Sequence, residues 1–168
     1  MNLIRGFKRE LWATDLRICL LIGLGACLLC TAVLWLAGGV AAYRLLCGDC
    51  NVPLPSVWLV GRQCTALLLG LGLGIILGRQ SSCAVQGRIA GIVWWLVGYI
   101  TLLLCLLLFM GGNFRVLSVI LLAGSILAFA LATDRFARES LLSALLLIVG
   151  ILWMMGSFGL ILRIILWN

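Results

Sequence analysis

The chain has 168 residues, 65% of them hydrophobic and only 10% charged, with a net charge of +7. A soluble domain of this size carries far more charge, so the long apolar runs are the fold itself: an all-α integral membrane protein. The basic residues flank those runs, where they suit orientation and anionic membrane lipids, and nucleic acid is not an expected partner.

Residues 1–17, MNLIRGFKRELWATDLR, set Arg5, Lys8, Arg9 and Arg17 against Glu10 and Asp15. Ile4, Phe7, Leu11 and Trp12 can share a face, as in a short helix lying on a membrane surface, with an unstructured basic tail as the alternative. The charged lead-in and the length of the next run do not suit a cleaved signal peptide. A first span is expected over about 18–42, small-residued at its far end (Ala37, Gly38, Gly39, Ala41, Ala42), with Tyr43 and Arg44 at the interface.

The loop that follows holds Cys47 and Cys50 in LCGDCN. Without histidine or a second CxxC, a zinc site lacks ligands, so no metal is expected. A disulfide is open to the pair if the loop faces an oxidising space, and a redox role is a weaker option. Cys19, Cys27, Cys30, Cys64 and Cys105 fall inside apolar spans, where cysteine behaves as a small hydrophobe.

The second span, 55–78, starts just after Pro53 at Pro55, and proline is tolerated in a first helical turn that needs no backbone donors. Ala66, Gly70, Gly74 and Gly78 recur every four residues and form one groove that admits another helix closely. Arg62 lies near its start. It either snorkels to the interface or caps a pocket and meets an anionic ligand group.

A third span is expected over 89–110, with Trp94, Trp95 and Tyr99 in its first half and Gly91 and Gly98 on a packing face. After the turn Gly111–Gly112–Asn113 comes a fourth span, 114–133, with Gly124, Ala128 and Ala132 again four apart. The link TDRFARES leads to a fifth span, 141–166, with Trp153 near its middle. Short links make this one compact bundle of five helices, a single domain over residues 1–168. Basic residues divide eight to three in favour of a cytoplasmic N-terminus and an external C-terminus.

No span contains an acidic residue, so general acid–base catalysis and an ordinary proton-coupled pump lack their groups. No catalytic residue is expected. A cluster of tryptophans around an apolar cavity suits a flat molecule, and ordinary helix packing is the plainer alternative.

The stretch PSVWLVGRQCTALLLGLGLG (Pro55 to Gly74) resembles the proline-led second helix of the translocator protein (TspO/MBR, tryptophan-rich sensory) family through Pro55, Ser56, Trp58, Gly61, Thr65, Leu67 and Gly72. LFMGG (Leu108 to Gly112), RFARES (Arg135 to Ser140) and LLLIVGILW (Leu145 to Trp153) are similar to that family's later helix ends. The chain departs from the pattern at Arg62, Cys64, Leu102, Cys105, Val149 and Gly150. The resemblance implies a homodimeric receptor or transporter binding a porphyrin, haem-like tetrapyrrole or sterol between its helices, with slow porphyrin breakdown as the only implied chemistry. The expected ligand-binding residues are Trp58, Gly61, Arg62, Thr65, Trp95, Tyr99 and Trp153, with no cofactor beyond the tetrapyrrole as ligand. The expected location is a prokaryotic plasma membrane. The alternative is a membrane scaffold whose glycine faces dock partner helices. A channel has only Thr31, Thr65, Thr101, Ser118 and Ser125 to build a polar path.

Overall fold

Inside a bilayer every backbone polar group must find its partner within the chain, and apolar runs of this length meet that demand as helices. The computed structural model describes residues 14–38, 41, 55–79, 85–110 and 114–167. They form α1 (Leu16–Leu36), α2 (Pro55–Gly78), α3 (Val85–Met110), α4 (Arg115–Ala137) and α5 (Leu141–Trp167). All five are long and apolar enough to cross a membrane, which makes this a multi-pass membrane protein. The surface-helix reading of residues 1–13, the Cys47–Cys50 pair and the Gly111–Gly112–Asn113 turn lie outside the described residues.

The helices pack as a ring in the order α1–α2–α5–α4–α3, with α3 returning to α1. Consecutive helices are neighbours except α2 and α3, which barely touch although they follow one another in the chain.

At the α1–α2 contact the two backbones come close together. The buried residues of α1 are Cys19, Gly23, Ala26, Cys30 and Leu34, a stripe at helical spacing. The four-residue step of α2 runs along it. A methyl group added at Gly70 would lie 2.8 Å from the Gly23 Cα, and one at Gly74 would lie 2.6 Å from the Cys19 Cα. The opposite side of α2 is equally tight, for a Cβ at Gly72 would collide with Leu147 of α5. Gly91 and Gly98 of α3 make room for Phe136 and Phe129 of α4, as the sequence suggests.

Three spans differ from the expected limits. α1 stops at Leu36 rather than near 42, because the chain turns there with Gly38 at φ 88°, a conformation glycine adopts freely. α3 begins at Val85, and Arg88 then donates to the carbonyls of Leu77 and Arg79, closing the end of α2. α4 continues to Ala137 because Phe136 is fully buried and Arg138 pairs with Asp134 one turn back. At the same end Arg79 donates to the Glu139 carbonyl, and the Asp15 amide donates to the Gly78 carbonyl at 3.2 Å.

These contacts separate glycines that packing demands from glycines it does not. Gly70→Ala and Gly74→Ala are expected to lower stability in detergent by about 1–3 kcal/mol, the usual effect of overpacking. Gly156→Ala, where no described atom lies within 4 Å, is expected to be neutral or stabilising. Thermal unfolding of the three variants checks the ranking.

Candidate functional site

Trp153 lies on the face of α5 that meets α2. Gly61 carries no side chain there, and a Cβ at that position would fall inside the indole ring. The ring therefore rests on the backbone of α2, yet 42% of the residue remains exposed.

Two recesses open beside it. The larger, about 790 Å³, is lined by Val57, Val60, Gly61, Cys64, Thr65 and Leu68 of α2 and by Val149, Leu152 and Trp153 of α5. The smaller, about 220 Å³, is lined by Val57, Trp58, Leu152, Trp153, Gly156, Ser157 and Leu160. Val57, Val60 and Leu152 are each more than half exposed, so these recesses face outward at membrane depth. The two hydroxyls that line them are already engaged: Thr65 donates to the Gly61 carbonyl at 2.8 Å, and Ser157 donates to the Trp153 carbonyl at 3.1 Å. What remains is an apolar surface with an aromatic face, lined also by the exposed Cys64.

Trp95 and Tyr99 line neither recess. They are buried on α3 and stacked, with ring centroids 4.9 Å apart and planes at 10°. Phe129 packs edge-on to Trp95 at 6.2 Å. The Trp95 indole donates to the Leu69 carbonyl of α2 at 2.9 Å, and the Tyr99 hydroxyl donates to the Ala26 carbonyl of α1. The pair ties three helices together where α3 otherwise barely meets α2. Two cysteines act in the same way, Cys19 donating to the Leu71 carbonyl and Cys27 to the Gln63 carbonyl across α1 and α2.

Arg62 lines neither recess, and it does not snorkel. It is 2% exposed. Its guanidinium carbon lies 5.5 Å from the centroid of the Trp58 ring, within cation–π range. Cys30 of α1 and Cys105 of α3 are within electrostatic reach, so the side chain points into the ring of helices. Nε and Nη1 are buried with no hydrogen-bond partner among the described residues. Insertion scales put a charge at mid-bilayer at about 3 kcal/mol, so a buried arginine without a partner among the described residues weighs on stability.

The seven residues singled out in the sequence thus divide. Gly61, Thr65 and Trp153 meet at the larger recess, and Trp58 and Trp153 at the smaller. Trp95 and Tyr99 stand in the core, and Arg62 lies behind Trp58. Val57, Val60, Leu68, Val149 and Leu152 complete the lining, and nothing in their residue type distinguishes them from any lipid-facing aliphatic. Cys64, read as a packed hydrophobe, is exposed at the recess. No group of three or more histidine, cysteine or acidic side chains comes together among the described residues.

No family model, curated protein or solved structure matches this chain.

The partnered indole of Trp95 has a direct consequence. Trp95→Phe keeps the stack on Tyr99 and leaves the Leu69 carbonyl unbonded by it. Stability is expected to fall by about 1 kcal/mol, while the accessibility of Cys64 to a small thiol reagent stays unchanged. Unfolding curves and labelling rates measured on one preparation separate the two effects.

Proposed function

We propose that this protein is a membrane receptor or carrier that takes a flat apolar molecule, a tetrapyrrole or a sterol, from the bilayer into the recess between α2 and α5. The observation that carries this reading is the indole of Trp153, set against the bare backbone at Gly61 and lining two apolar recesses. A tryptophan 42% exposed within a largely aliphatic lining suits stacking against a planar ring system. A volume of about 790 Å³ is in the range of ligand pockets. The likeness of Pro55–Gly74 to the translocator family supports the same ligand class, and with it a homodimer. The charge balance supports a plasma membrane with the N-terminus in the cytoplasm, so the Pro55 end of the ring faces outward.

The glycine faces of α2 bear on the scaffold alternative. Gly70 and Gly74 are filled by α1, and Gly61 and Gly72 by α5. The face best suited to a partner helix is therefore occupied from within the chain, which favours a ligand over a docked helix.

Titration of the purified protein with protoporphyrin, and separately with cholesterol, followed by tryptophan fluorescence, tests the proposal. Saturable quenching at micromolar concentration is expected for at least one of them. Trp153→Phe is expected to weaken it about tenfold, or roughly 1.4 kcal/mol. Gly61→Leu, which displaces the ring, is expected to abolish it. If neither compound saturates, or the variants bind as the wild type does, the recess is not a ligand site.

A further inference from the structure

The recess leaves Arg62 unexplained. We propose that Arg62 anchors a second site, inside the ring of helices, for a single oxyanion — a carboxylate or a phosphate — that enters from the Pro55 end.

The chain has five acidic residues, of which Glu10 and Asp49 lie outside the described residues. Those described, Asp15, Asp134 and Glu139, belong to the Gly78 end. Asp15 caps α1 and bonds to Gly78, Asp134 pairs with Arg138, and Glu139 lies in the α4–α5 link, its carbonyl taken by Arg79. Arg62 stands sixteen residues along α2 from Gly78, about 24 Å at 1.5 Å per residue. No described carboxylate is near enough to balance it. The groups that do surround it are the Trp58 ring and the thiols of Cys30 and Cys105. The ring orients the guanidinium without neutralising it.

A buried charge with open donors is rare within a membrane span, and where it occurs it marks a site for a partner group. Arg62 is seven residues past Pro55, about 10 Å along the helix, and so within reach of a group arriving from that end. Its planar fork of donors fits an oxyanion better than a point charge would. The site does not rest on the recess reading, because Arg62 lines neither recess.

Two sources carry the same chemistry: the headgroup of an amphiphile, or a free anion. The test uses protein purified in an uncharged detergent without anionic lipid, with thermal unfolding as the readout. Oleate and dioleoylphosphatidylglycerol form one arm, and acetate and inorganic phosphate the other. The wild type is expected to gain roughly 5 °C or more at saturation in at least one arm. A response to the first arm alone assigns the site to an amphiphile, and a response to the second assigns it to the free anion. Arg62→Met is expected to be more stable than the wild type without probe, since it removes a buried charge that no described carboxylate balances, and to lose the response entirely. Arg163→Gln, which removes an exposed charge elsewhere, is expected to respond as the wild type does.

Should Arg62→Met fail to fold, Arg62→Lys carries the test, with an expected loss of affinity of at least fivefold. Absence of a wild-type response in both arms, an Arg62→Met response equal to the wild type, or an Arg62→Lys affinity equal to the wild type overturns the proposal.

Discussion

Helices in lipid gain nothing by hiding apolar surface from one another, because the solvent is as apolar as they are. What holds this ring together is close approach, and α2 supplies it on two sides. Toward α1 it presents Gly70 and Gly74, so that the two backbones meet at Gly23 and Cys19. Toward α5 it presents Gly61 and Gly72, which receive Trp153 and Leu147. Glycine is a poor helix former in water, and this helix uses it where a Cβ would strike a neighbour. The remaining contacts follow from that hub. Ser143 of α5 donates to the Gly72 carbonyl at 2.6 Å, and Gln63 donates to Thr31 of α1 at 2.9 Å, both reaching groups that the close approach brings within range.

The same geometry produces two regions of opposite character. On the outer side, Gly61 lets the Trp153 indole close onto the helix and leaves apolar space around it. One residue further, at Arg62, the helix has turned by about 100° and the side chain enters the ring. Trp58 stands between them, lining the smaller recess while its ring lies beside the Arg62 guanidinium. A single turn of α2 therefore separates a face suited to flat apolar molecules from a buried cation.

Much of the fold was legible because small residues four apart and long apolar runs are local signals of a global constraint. The α2 step and the Gly91–Gly98 pair of α3 lie at helix contacts as their spacing suggests. The limits of α1 and α4 were less legible. Whether α1 runs straight on past Leu36, or α4 past Thr133, is decided by one positive φ or one buried phenylalanine. Arg62 illustrates the same limit, for its distance from the end of the run permits snorkelling, and only the packing of α1 and α3 around it shows that it turns inward. Trp95 and Tyr99 have the residue types of a ligand pocket, but their polar atoms are spent on the carbonyls of Leu69 and Ala26. The recess itself is built mainly from valine and leucine, and which aliphatics meet around Trp153 depends on the ring order α1–α2–α5–α4–α3.

The most direct measurement is an experimental structure of the protein saturated with protoporphyrin. The account expects density for a planar ring against the Trp153 indole, between α2 and α5, with Gly61 beneath it. Density at another site, or an empty recess at saturating ligand, would contradict it.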